Sequence, residues 1–317
     1  MRVIPTDLSA PRRRKKRIRR LRTIAVLPTM LTLGNLLCGF AAIYFCMRGM
    51  LTADVDPGIK ETLNNRFVEG LLPTFISVGG FLIFLGMFFD MMDGRVARMT
   101  SGTSNFGGQL DSLSDMVTFG VAPAMLIISL VTLEAGRDPG MMMISPRVVW
   151  MAGAMFSACA ALRLARFNVE HAEGDLKHRE FDGLPSPAAG AVVASLVILY
   201  EHVKEVRGTL LVHILPLVAI LAGLLMVSRI RYVHIGNTYL RERKPFWHVV
   251  MLVVVAGLLI AQPALTLVGV TAAYALSGPI SSAARRLRPE GSPEGSGEIP
   301  PSVEQAEISG DADQQRA

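Results

Sequence analysis

The segment Leu71–Val131 reads LLPTFISVGGFLIFLGMFFDMMDGRVARMTSGTSNFGGQLDSLSDMVTFGVAPAMLIISLV, and it decides the fold. Two apolar runs flank a short polar stretch. Each run is long enough to cross the roughly 30 Å hydrocarbon core of a bilayer as a helix. The connection is short, so the two helices are antiparallel neighbours. Their adjoining ends carry four carboxylates: Asp90 and Asp93 close the first, and Asp111 and Asp115 open the second.

The same alternation extends in both directions. Of 317 residues, 51% are apolar and 18% charged, with a mean hydropathy of +0.41. That charged share lies below the roughly 25% of ordinary globular chains. The length would accommodate two soluble domains, but the hydropathy pattern points to one membrane domain with polar tails. Spans are predicted at about 26–47, 72–92, 109–133, 147–167, 186–202, 210–228, 247–261 and 264–281. The predicted fold is an all-α polytopic membrane protein, with six core transmembrane helices plus a C-terminal hydrophobic hairpin that turns at Gln262 and Pro263 and is either two spans or one kinked segment. The domains implied are a basic segment over 1–23, a membrane-embedded domain over 24–284 and a disordered polar tail over 285–317. That tail is rich in Pro, Glu, Ser, Gly and Gln and has too little apolar surface to order itself.

Charge orients the spans. With the N-terminus cytoplasmic, 25 of the 32 Lys and Arg fall on the cytoplasmic side, as the positive-inside rule requires. The carboxylates and both termini then face the cytoplasm. The run RRRKKRIRRLR (Arg12–Arg22) is longer than the basic region of a cleavable signal peptide and precedes a full-length span. It suits anionic membrane lipids beside a first span better than nucleic acid. The absence of a targeting sequence points to a prokaryotic plasma (inner) membrane. Cys38, Cys46 and Cys159 lie within apolar runs without metal-ligand spacing, and read as small core residues.

The four acids demand an account. Asp90 and Asp93 are three apart, Asp111 and Asp115 four apart, so each pair shares a helical face. Each charged Asp at mid-membrane costs roughly 2.5–3.5 kcal/mol, less near the surface, and converging carboxylates repel. Divalent cations relieve both penalties. An oxygen-only ligand set without Cys or His points to Mg²⁺ or Mn²⁺ rather than zinc, and four acids suit two ions. Gly94 and Ala97 keep the helix surface clear beside the acids, Gly107 lies one turn before Asp111, and Arg98 is placed to meet a phosphate.

The pattern D-x2-D-G-x2-A-R-x8-G-x3-D-x3-D, filled by Asp90, Asp93, Gly94, Ala97, Arg98, Gly107, Asp111 and Asp115, resembles the signature of the CDP-alcohol phosphatidyltransferase family. The resemblance implies that Asp90, Asp93 and Asp111 hold metal on the pyrophosphate of a CDP-linked lipid. It implies that Asp115 adds to the metal site and acts as general base on an acceptor hydroxyl, with CMP leaving. It places Gly94, Ala97, Arg98, Ser104 and Gly107, with Thr29 and Thr32 of the first span, at the CDP-lipid. Relatives of this kind are commonly homodimers.

Three further segments, LTLGNLLCGF (Leu31–Phe40), ALRLARFNVE (Ala161–Glu170) and FDGLPSPAAG (Phe181–Gly190), resemble the phosphatidylserine synthase branch. This implies CDP-diacylglycerol and L-serine as substrates. Serine carries a carboxylate, for which Arg163 and Arg166 are the candidate cations, while Asn168 and Ser186 are candidates for hydrogen bonds to the amino acid. Rival acceptors are glycerol 3-phosphate, inositol phosphate and choline. A rival from another class is a divalent-cation transporter, whose acids tend to lie near the bilayer midplane.

Overall fold

A computed structural model of the chain describes residues 11–51, 74–99, 105–137, 145–172, 183–230, 232 and 245–287. Every regular element among them is helical. Helix α1 is Pro11–Leu51, α2 is Phe75–Met99 and α3 is Asn105–Asp115. A π-helical segment, Met116–Val121, joins α3 to α4, Ala122–Arg137. Then come α5 (Pro146–Ala172), α6 (Ser186–Val227), α7 (Pro245–Ala261) and α8 (Pro263–Leu287). The described residues up to Ser282 form one compact unit. Of the second unit only Ala283–Leu287, the end of α8, is described. The predicted polar tail beyond it lies outside the described residues.

Among the described residues, seven helical stretches are long and apolar enough to cross a membrane, and the chain is an integral membrane protein. The eighth predicted span is α7. Its 17 residues rise about 26 Å, slightly less than the hydrocarbon core. It meets α8 at one non-helical residue, Gln262, whose N–H donates to the Leu258 carbonyl (2.7 Å) and whose carbonyl accepts from Thr266 N–H (3.0 Å). Pro263, without an N–H, can start α8 but not continue α7. The basic run lies on the first turns of α1, with no break between it and the span Leu27–Leu51.

Two predicted spans, 186–202 and 210–228, fall in the single helical run α6. Drawn straight, its 42 residues would extend about 63 Å. Its ends nevertheless touch: Leu184 N–H donates to Leu225 O and Gly183 N–H to Ile230 O, each 2.9 Å. The run therefore folds back on itself, and its halves are the two spans Ser186–Val203 and Leu210–Val227. Gly183 closes this junction at φ +89°, where a Cβ would stand 2.4 Å from the Met226 carbonyl oxygen. Only glycine takes that conformation without strain.

Lipid offers no hydrophobic drive for helix association, so the bundle packs through small residues. A Cβ on Gly80 would stand 3.1 Å from Ile198, one on Gly120 3.2 Å from Ala160, and one on Gly190 3.5 Å from the Phe119 backbone. Phe119, Phe156, Leu126 and Ile198 fill the interior. Cys38, Cys46 and Cys159 are buried and free, as the sequence predicted. Large apolar side chains such as Leu37, Phe40, Trp150 and Ile260 are exposed, which suits a bilayer and not water.

Candidate active site

The carboxylates converge at one end of the bundle. Asp90, Asp93 and Asp111 each present an oxygen such that all three lie within 4.8 Å of one another. Asp93 is buried, while Asp90 and Asp111 are partly exposed. The triplet draws on two helices, α2 and α3. Asp115 stands outside it, one turn further into α3 and buried at 9% exposure.

Helix α1 serves both acid sets. Thr32 Oγ1 lies 2.9 Å from Asp93 Oδ2 and 3.0 Å from the Pro28 carbonyl, so its single proton has two acceptors in reach. One turn on, Asn35 Nδ2 donates to Asp115 Oδ1 at 3.0 Å. The opposite helix answers: Ser114 Oγ donates to Thr32 O (3.0 Å) and Thr118 Oγ1 to Asn35 O (2.9 Å). Thr32, Asn35 and Gly39 follow the i, i+3, i+7 rhythm of one helical face. A Cβ on Gly39 would lie 2.7 Å from Thr118 Cα, which accounts for the second glycine in LTLGNLLCGF.

The π-helical segment begins directly after Asp115, and its closing bond runs from Ala122 N–H to Val117 O. Its wider turn changes the phase between the acid-bearing helix and the rest of the third span, a device frequent at functional sites. Thr118 sits within it, facing α1.

The residues predicted to bind the acceptor divide. Arg163 Nη1 donates to Ser186 Oγ at 3.0 Å, joining α5 to the start of α6. Arg163 Nε is buried without a hydrogen-bond partner among the described residues. Arg163 is also within electrostatic reach of Asp115 and of Tyr274 on α8. Asn168 goes elsewhere: its Oδ1 accepts from Ser112 Oγ (3.1 Å), beside the acids. Arg166 is exposed, although it is three residues from Arg163, because the end of α5 presents only part of its circumference to the bundle.

Of the predicted CDP-lipid contacts, Thr29, Gly94, Ala97 and Gly107 are half-buried around the same end. A Cβ at Gly94 would meet nothing within 4 Å, so that surface is open. Arg98 lies on α2, with its side chain outside the described set, and Ser104 lies outside the described residues. Asn35, Ser112, Ser114 and Thr118 had no assigned role in the sequence. The signal for Asn35 was its place on the Thr32 face of α1, which alone cannot identify the partner.

Comparison with known proteins places the chain in a family. The profile of the family described as CDP-alcohol phosphatidyltransferase matches residues 25–227. The chain belongs to the CDP-alcohol phosphatidyltransferase family. Its membrane domain is therefore that of a phosphatidyltransferase, and the match runs from the first span to the end of α6. Among curated relatives, a CDP-diacylglycerol–serine O-phosphatidyltransferase of Bacillus subtilis is 31% identical over 210 residues, covering 66% of this chain and 90% of the relative. One of the same name from Methanocaldococcus jannaschii is 39% identical over 167 residues, covering 53% and 69%. One from Helicobacter pylori is 36% identical over 151 residues, covering 48% and 58%.

The aspartate triplet also fits a metal ion. Its donors are all carboxylate oxygens, the choice of hard divalent cations. Asp111 also carries an oxygen, Oδ1, that is buried with no hydrogen-bond partner among the described residues. A buried carboxylate oxygen left unpaired is costly, and an ion beside it would remove that cost.

Proposed function

We propose that this protein transfers the phosphatidyl group of CDP-diacylglycerol to L-serine, releasing CMP, in a reaction dependent on Mg²⁺ or Mn²⁺. The observation that carries the proposal is the convergence of Asp90, Asp93 and Asp111 at the bundle end that also holds Asp115 and the Arg163–Ser186 pair. The names of the relatives support serine as acceptor.

The roles follow from geometry and charge. Asp90, Asp93 and Asp111 would hold the metal, with Asp115 contributing to a second ion. When bound, the metal neutralises the pyrophosphate oxygens and the departing CMP. Gly94, Ala97 and Gly107 leave room for the nucleotide, with Thr29, Thr32, Arg98 and Ser104 as its polar contacts. Arg163, steadied by Ser186, offers a guanidinium edge to the serine carboxylate, with Arg166 and Asn168 nearby. Asp115 takes the serine hydroxyl proton as the oxygen–phosphorus bond forms and the bond to CMP breaks. Holding both reactants at one site removes much of the entropic barrier.

The site faces the cytoplasm of a prokaryotic plasma membrane, as do both termini, in line with the bias of Lys and Arg. Residues 24–284 form the catalytic membrane domain, which works as a homodimer. Residues 1–23 rest on anionic headgroups, and 285–317 form a polar tail. The test is CMP release by purified protein given CDP-diacylglycerol and Mn²⁺ or Mg²⁺, with and without L-serine. Serine-dependent CMP with phosphatidylserine as product is expected. Release only with glycerol 3-phosphate, inositol phosphate or choline would overturn the acceptor, and release with none would overturn the enzyme reading.

A further inference from the structure

We infer that Asn35 is the positioning residue of the proposed base: it holds one carboxylate oxygen of Asp115 so that the other faces the acceptor hydroxyl. The inference rests on the role proposed for Asp115, and it adds a residue that the signature does not contain. Asn35 is fully buried, and its Nδ2 donates to Asp115 Oδ1 at 3.0 Å. Among the described residues Asp115 Oδ2 has no hydrogen-bond partner, and it is not among the sealed, unpartnered oxygens. One oxygen is thus tethered and the other is left available.

The tether is itself held from two sides. Thr118 Oγ1 donates to the Asn35 carbonyl, tying the backbone of α1 to the π-helical segment that follows Asp115. The amide oxygen of Asn35 is buried without a hydrogen-bond donor. It lies against Gly86 of α2, where a Cβ would stand 2.9 Å from it and 2.6 Å from Thr118 Cγ2. The amide therefore has one orientation, nitrogen to the carboxylate and oxygen to the glycine. A buried acceptor with no donor costs stability, so packing alone would favour an apolar side chain at position 35. The polar group is explained by what its nitrogen does.

A carboxylate free to rotate would spend part of its time with both oxygens turned from the acceptor. Fixing one oxygen removes that freedom before the substrate arrives, the general role of partners that orient a reacting group. Asn35 touches no reacting atom, so its effect belongs in turnover and not in binding.

The experiment compares wild type with Asn35→Leu, which keeps the branched outline, is bulkier and lacks the donor, and with Asn35→Ala, which only removes atoms. Each is assayed for CMP release with CDP-diacylglycerol, Mn²⁺ and L-serine, for metal-dependent binding of CDP-diacylglycerol without serine, and for thermal unfolding in detergent. The expected result is a kcat lower by roughly 10–100-fold, with CDP-diacylglycerol binding and the KM for serine within about twofold of wild type. Gly86→Ala, which leaves Asn35 in place but displaces its amide, should lower kcat in the same way. A folded Asn35 variant with near wild-type kcat overturns the inference, as does binding that falls in step with rate. If Asn35→Leu does not fold, Asn35→Ala decides between the same outcomes. Failure of the function proposal is separate, since the wild-type protein would then release no CMP with serine.

Discussion

Asp115→Asn tests the assigned chemistry most directly. The change is isosteric at a position 9% exposed, so packing is conserved. The asparagine can keep its oxygen on Asn35 Nδ2, where Oδ1 of the aspartate lies at 3.0 Å. Its amide nitrogen then occupies the place of the available oxygen. A donor stands where a proton acceptor is required. General-base catalysis contributes about 10²–10⁴ in rate, so the loss in kcat should correspond to about 3–5 kcal/mol of transition-state stabilisation. Asp90, Asp93 and Asp111 remain within 4.8 Å of one another, so metal-dependent binding of CDP-diacylglycerol should persist. The assay pairs CMP release at saturating serine with equilibrium binding of CDP-diacylglycerol. Turnover within about tenfold of wild type would refute the base assignment. Loss of lipid binding together with rate would instead make Asp115 chiefly part of the binding site.

Removing metal with a chelator should abolish CMP release, and added Mn²⁺ or Mg²⁺ should restore it. Asp111→Asn should raise the metal concentration needed for half-maximal rate, because Asp111 supplies a buried, unpartnered oxygen; unchanged metal dependence would remove it from the ligand set. Arg163→Ala should cut kcat/KM for serine by roughly 10- to 150-fold, the equivalent of about 1.5–3 kcal/mol for hydrogen bonds to a charged group. The KM for CDP-diacylglycerol should stay unchanged, and an equal rise in both would argue for a structural arginine. Gly183→Ala should lower the midpoint of thermal unfolding in detergent, with about 1–2 kcal/mol lost to the left-handed backbone alone and more to the Met226 carbonyl. Tyr232→Phe removes the bond from its hydroxyl to Ala275 O (2.9 Å), and should cost about 1 kcal/mol in the same unfolding measurement.

Much of this protein was legible in one dimension. Hydropathy fixed its class, because a bilayer admits only helices or closed barrels and the apolar runs have helical length. The aspartate pairs were legible because spacings of three and four residues place side chains on one helical face whatever surrounds them. The sequence reading also separated α6 into two spans, and the contact between Leu184 and Leu225 bears that out. It did not foresee that the helical run would continue between them, because nothing local marks the turn. It left α7 and α8 as two spans or one kinked segment, and the structure gives two helices, α7 being 17 residues long. Arg163 and Arg166 were equivalent in sequence, and only the packing of α5 half-buries one beside Ser186 and exposes the other.

By itself, then, the sequence determined the membrane fold, the family signature and which acids could meet, since these depend on local periodicity and on the solvent each segment tolerates. The tertiary structure decided that three acids form the triplet and the fourth stands apart on Asn35, 80 positions away. It also decided that a π-helical turn follows Asp115 and that Gly86 seats the asparagine oxygen. These are pairings between helices. They depend on the relative rotation and depth of elements far apart in the chain, which close packing fixes to fractions of an ångström and which no local pattern encodes.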